Sequence, residues 1–202
     1  MKKFLALALV LCMCVCMSVT AFATEIDTSG GSGSTPVSLT STSDGTTGGD
    51  PTGTAMNVTV PTALPMTMSQ TGDVTTADNC RIINNSYGAV RVKSVEITAA
   101  DGWSLTAFGD KTTLAREKVD SNKLGFAIRI GGGAQSATDA SNSNTQALIS
   151  DPVAGCYMTG AGDATANSVS IDYAAIVTPL SSAVTAATVA NVVFIIEWDT
   201  AA

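Results

Sequence analysis

The chain is 202 residues long, with 17 acidic against 10 basic residues, a net charge of −7 and no histidine. The missing histidine excludes Ser-His-Asp and Cys-His nucleophiles, a His-ligated catalytic zinc and the H-E-x-x-H metalloprotease helix. An acidic chain with no basic stripe repels nucleic acid phosphates and anionic lipid, so nucleic acid is not an expected partner.

Residues 1–23 have the form of a secretory leader. Lys2 and Lys3 give a positive start, residues 4–19 are an apolar run, and Ala21-Phe22-Ala23 supplies the small residues of a cleavage site. Cleavage is expected after Ala23, and the protein is expected to be secreted, with or without association to the cell surface. A retained anchor is the alternative, but the apolar run is shorter than the roughly 18 residues of a spanning helix. No later run of that length occurs, so no membrane span is expected after cleavage. Cys12, Cys14 and Cys16 leave with the leader, and none follows a convincing lipobox. Cys80 and Cys156 remain. Two cysteines in a secreted chain invite a disulfide; the alternative is two separate buried thiols, each packed as a small hydrophobe.

Residues 24–54 are rich in Gly, Ser and Thr, as in Ser29-Gly30-Gly31-Ser32-Gly33-Ser34. Such composition does not bury enough apolar surface to order itself, and a flexible segment is expected. One apolar island interrupts it at residues 36–41, where Val37 and Leu39 alternate with Ser38 and Thr40. This is a short strand candidate, and the simplest reading pairs it within its own chain.

From residue 55 the apolar period is two, the signature of half-buried strands. Met56, Val58 and Val60 come first, then Leu64, Met66 and Met68. Cys80 and Ile82 precede a turn cluster, Asn84-Asn85-Ser86-Tyr87-Gly88. Val90 and Val92 share one parity and Val95 and Ile97 the other. A β-bulge near Ser94 would let both halves face one core. Leu124, Phe126, Ile128 and Ile130 continue the pattern, and Gly131-Gly132-Gly133 after them is expected as a turn. Val169, Ile171 and Tyr173 follow. The last run has Val192, Phe194, Ile196 and Trp198 on one face and Val193, Ile195 and Glu197 on the other, which predicts a central strand covered on both sides. Helical signal is confined to a turn or two near residues 113–119 and 182–190. Eight to ten strands predict an all-β domain over residues 55–202, a two-sheet antiparallel sandwich or jelly roll behind a flexible N-terminal segment.

No catalytic set is legible. Seventeen carboxylates make some close pair inevitable, so a carboxylate-based hydrolase has no specific signal. No cofactor is expected; calcium is the one candidate, in loops carrying Asp139, Asn142 and Asn144, Asp151 or Asp163, where ordinary Asx turns explain the residues equally well. Trp103, Tyr157 and Trp198 are the candidate sugar contacts, with a core role the competing expectation for the two tryptophans. An open sheet edge would be the place for self-association, with the Val37 and Leu39 segment as a candidate donor strand.

Three runs carry a family resemblance: Val58-Thr59-Val60-Pro61-Thr62-Ala63-Leu64-Pro65, then Ile82-Ile83-Asn84-Asn85-Ser86-Tyr87-Gly88-Ala89-Val90-Arg91-Val92, and finally Ala190-Asn191-Val192-Val193-Phe194-Ile195-Ile196-Glu197-Trp198-Asp199. Together, over residues 55–199, they resemble small secreted surface proteins of Gram-positive bacteria, the TasA/camelysin biofilm-fibre proteins and the WxL cell-surface domains. The first resemblance implies a jelly-roll subunit that polymerises through donor strands. The second implies noncovalent attachment to peptidoglycan. Trp103-Ser104-Leu105 supplies one Trp-x-Leu, but Trp198-Asp199-Thr200 does not supply another. The metalloprotease activity ascribed to camelysin is not carried over, because no histidine is available. The expected function is therefore a non-enzymatic cell-surface or extracellular-matrix structural protein that self-assembles by strand donation. A carbohydrate- or cell-wall-binding module is the alternative.

Overall fold

A computed structural model of the protein describes residues 54–200. The expected leader, the Gly/Ser/Thr-rich stretch up to residue 53 and the Val37 and Leu39 strand candidate lie outside the described residues. Among the described residues twelve strands form, against the eight to ten predicted, with one short helix. They run β1 (Val58–Thr59), β2 (Met66–Met68), β3 (Val74–Thr76), β4 (Arg81–Asn84), β5 (Val90–Ala99), β6 (Ser104–Thr106), α1 (Lys111–Leu114), β7 (Lys123–Ile130), β8 (Ser136–Ala137), β9 (Thr145–Ile149), β10 (Tyr157–Met158), β11 (Ser168–Val177) and β12 (Ala190–Trp198). The class is all-β, as the alternation predicted.

Two sheets enclose one core. The first has the order β1-β4-β11-β7-β6, with β8 also on β7. Its spine is the antiparallel β11–β7 ladder, from Ile171 opposite Ile130 to Val177 opposite Leu124. The second sheet hangs on β5, which pairs with β12 on one side and with β9 and β10 on the other. A small β2–β3 hairpin joins neither ladder but packs against β11, where the Thr76 hydroxyl donates to the Tyr173 carbonyl at 2.9 Å. Inward side chains from both sheets share one cluster: Ile82, Leu124, Ile128, Ile130 and Ile171 from the first, and Val90, Val92, Val95 and Ile97 from the second. All of these are essentially inaccessible to solvent.

The predicted bulge is present. Ile195 pairs with Ser94 and Ile196 with Val92, so β5 carries an extra residue there and both its halves face the core. One pair departs from the antiparallel expectation, because β6 runs parallel to β7. The chain between them crosses over through α1, a connection long enough to bring a strand back in the same direction. Asp110 caps α1, its side chain accepting from the Thr112 backbone N–H at 2.9 Å. The helical turn predicted at residues 182–190 does not form there. Residues 179–189 are irregular and Ala186 has a φ of 50°, in keeping with the weak helix preference of their Val and Thr residues.

The turn cluster after β4 is built around a buried amide. Asn84 is fully inaccessible. Its side-chain N–H groups donate to the carbonyls of Gly88 (2.9 Å) and Thr159 (2.8 Å), and its side-chain oxygen accepts from the Ser86 N–H (2.9 Å). Removing this side chain takes the partner from the buried Ser86 N–H, a loss of about 1–3 kcal/mol, and from the partly exposed Gly88 and Thr159 carbonyls. Asn84→Ala is expected to destabilise the fold by at least about 2 kcal/mol in urea denaturation. Asn85→Ala, at an exposed neighbour, is expected to lie within about 0.5 kcal/mol of the parent.

Candidate functional site

The prediction for β12 is corrected by its position. It pairs only with β5, so it is an edge strand, and among the described residues its other edge has no partner. Its inward residues Val192, Phe194 and Ile196 pack against the core yet remain half-buried. Its outward residues Val193 and Ile195 are each 50% exposed. The strand is apolar on both faces because one face meets the core while the other meets solvent. Neither lysine nor proline, the usual guards of a free edge, occurs within it.

Charge is confined to the C-terminal end of this edge. Glu197 lies opposite Arg91 on β5, and its carboxylate accepts from the Arg91 Nε at 2.8 Å. Lys93 Nζ lies 3.0 Å from the other carboxylate oxygen, and Asp199 sits 3.6 Å from Arg91. The Lys93 and Arg91 donors hold the Glu197 carboxyl below the usual glutamate range, and Glu197 in turn raises the Arg91 guanidinium.

One groove flanks the N-terminal half of β12 and a second adjoins the chain just before it. One, of about 490 Å³, runs between residues 61–66 and 186–194 and is floored by Ile97, Leu124 and Phe126. Its outer wall is pinned by Tyr173, whose hydroxyl donates to the Pro65 carbonyl at 2.5 Å and accepts from the Ala77 N–H at 3.2 Å. Burial pushes that phenol upward, as suits a structural tether. The second groove, of about 740 Å³, shares Met66 and Val189 with the first and extends past Met68, Trp103, Leu180 and Val184. Among the described residues, no charged side chain lines it.

The predicted contact residues do not converge. Trp103 is half-buried beside the larger groove. Tyr157 is 47% exposed on the outer face of the second sheet, opposite Arg91. Trp198 packs against the core, with its ring over Gly88, where an added Cβ would come within 3.0 Å of the indole. Trp198 is therefore a structural lid on the turn cluster. Cys80 and Cys156 are separate buried thiols and no bridge joins them. The first precedes β4 and its carbonyl accepts from Ile171; the second precedes β10 and its carbonyl accepts from Val92. Each is thus tied to a different sheet.

The calcium-candidate loops spend their oxygens on themselves. Asp139 accepts from the Ser141 N–H at 2.8 Å, Asn142 from the Asn144 N–H at 2.8 Å, and Asp163 from the Thr165 N–H at 3.1 Å. These are Asx turns, and their donors lower the Asp139 and Asp163 carboxyls. No group of three or more Cys, Asp or Glu suited to a metal occurs among the described residues, and no helix there is long and apolar enough to cross a membrane. Sequence reasoning missed the grooves altogether, since they form where residues 61–66 and 179–189 come together from distant parts of the chain and no local pattern reports that.

The Glu197 pairs give a pH-dependent contribution of known sign. A carboxylate whose folded pKa is depressed stabilises the fold above its unfolded pKa, and the contribution is lost as pH falls through the folded value. Glu197→Gln is therefore expected to lower the thermal midpoint at pH 7, and this deficit is expected to close under acid conditions below the usual glutamate range. A deficit equal at both pH values would reject the ion-pair origin. Compared with known proteins, the chain matches no family model, no curated protein and no solved structure.

Proposed function

We propose that the protein is a secreted, non-enzymatic structural component of the cell surface or extracellular matrix that self-associates by accepting a strand from a neighbouring copy. The observation that carries this reading is the open edge of β12, nine residues long and apolar on both faces. Main-chain groups on such an edge pair with any extended chain laid beside them. The leader-like residues 1–23 support the location. The TasA/camelysin-like runs over residues 55–199 support the surface role and a jelly-roll form of the sandwich, and the Val37 and Leu39 segment is one source of the strand. Sedimentation of the chain beginning at Thr24 is expected to give species larger than a monomer as concentration rises. A monomer at every concentration would overturn the reading.

A carbohydrate- or cell-wall-binding module is the second reading, favoured by the uncharged groove beside Trp103. A neutral sugar chain needs hydroxyl and amide partners and an aromatic face, and Thr67, Gln70, Ser181 and Trp103 line that groove. On this reading the protein is retained by insoluble cell-wall glycan, Trp103→Ala abolishes retention, and Tyr157→Ala on the opposite sheet leaves it intact. Absence of retention in the parent protein would dismiss it.

A further inference from the structure

We propose that the strand accepted at the open edge is β12 of a second copy, paired antiparallel about a two-fold axis through Phe194. This rests on the self-association reading above and names its partner.

The pattern of β12 selects this register. In a continuous antiparallel sheet, residues directly opposite must lie on the same face, so a two-fold passes through a residue of the strand. Three placements keep the exposed apolar pair within the contact. An axis through Val193 sets Ile195 against Asn191, and an axis through Ile195 sets Val193 against Glu197. Only the axis through Phe194 sets Val193 against Ile195 of the partner, twice, and joins the two exposed apolar residues into one row. The same placement sets the Asn191 amide against the Glu197 carboxylate at both ends, a donor against an acceptor. It brings no like charges together, because Glu197 is the only charged residue in the strand. On the inward face Val192 meets Ile196 of the partner and Phe194 meets its own copy. The half-buried face beside the groove over Ile97, Leu124 and Phe126 is thereby covered.

The edge is suited to a self-complementary partner and poorly suited to a charged one. Arg91 and Lys93 are already engaged by Glu197 and do not offer free positive charge to an acidic strand. Pairing joins the two second sheets into one, with both cores on the same side. Both edges are consumed, so the assembly closes at a dimer and further growth must use another surface. One strand pair is a small interface, at the weak end of stable association. It therefore forms where local concentration is high.

The test uses the chain beginning at Thr24. Sedimentation equilibrium is expected to show a reversible dimer. Ile195→Lys, on the exposed face, is expected to keep the parent circular dichroism and thermal midpoint while weakening the dimer by about tenfold or more. The double change Val37→Asp with Leu39→Asp is expected to leave the dimer within about twofold of the parent. Register is read by oxidative cross-linking. A mixture of Val193→Cys and Ile195→Cys chains is expected to link several-fold faster than either alone, because directly opposed residues approach to about 5 Å and diagonal ones to about 7–8 Å. Cys80 and Cys156 are buried and stay silent. Association that survives Ile195→Lys but is lost on changing Val37 and Leu39 would overturn β12 pairing and keep self-association. A monomer throughout would overturn both. Equal cross-linking by one variant alone would overturn the register.

Discussion

The second sheet depends on β5. Every other strand of that sheet, β9, β10 and β12, is bonded to it. Its inward residues Val90, Val92, Val95 and Ile97 are among the least accessible in the molecule. Ten residues with a strict period of two would have turned one half of this strand away from the core. The extra residue beside Ser94 restores the parity, so Arg91 and Lys93 reach solvent on one side of the bulge and Glu96 does on the other. One side of β5 is divided between β9 and β10 and the other is taken whole by β12. The sheet then ends, since no described strand follows β12, and the open edge is a consequence of that division.

The other margins of the fold are short. β1 has two residues and is followed by Pro61, while β6 and β8 share the outer edge of β7 in pieces of three and two residues. Short, interrupted margins offer little ladder to an incoming chain. β12 is the exception in length and in apolar content. Its protection is limited to the C-terminal end, where Arg91, Lys93, Glu197 and Asp199 gather.

Much of the fold was legible because its core strands alternate strictly. Leu124 to Ile130, Val169 to Tyr173 and Val90 to Ile97 announced their inward faces, and the parity change near Ser94 announced the bulge. β3 and β9 were not seen, because Val74-Thr75-Thr76 is short and Thr145-Gln146-Ala147 buries a polar side chain. Gln146 is buried through bonds to its own loop, including the Asp139 carbonyl at 3.0 Å, and no local pattern reports that satisfaction. The parallel course of β6 was invisible for a different reason, since strand direction is set by the crossover through α1. Cys80 and Cys156 raised a question that spacing does not answer, because pairing depends on which sheet each thiol is tied to. The contact aromatics do not gather on one surface, because Trp103, Tyr157 and Trp198 are placed by three different parts of the fold.

The misplacement of β12 follows from what an apolar strand means. Apolar residues on both faces signal that both faces are shielded from water, but not by what. Within one chain the usual answer is two layers of the same fold, and that answer made β12 central. Here the inward face has its layer and the outward face has none, with Val193 and Ile195 half in water. Exposed apolar residues scattered singly need no explanation. Two in a row on an unpaired edge are different, because unsatisfied main chain and exposed hydrocarbon lie side by side and one added strand relieves both. A pattern that looks like a central strand in sequence and lies at an edge in the folded chain is what the β12 pairing proposed above would leave in a single copy.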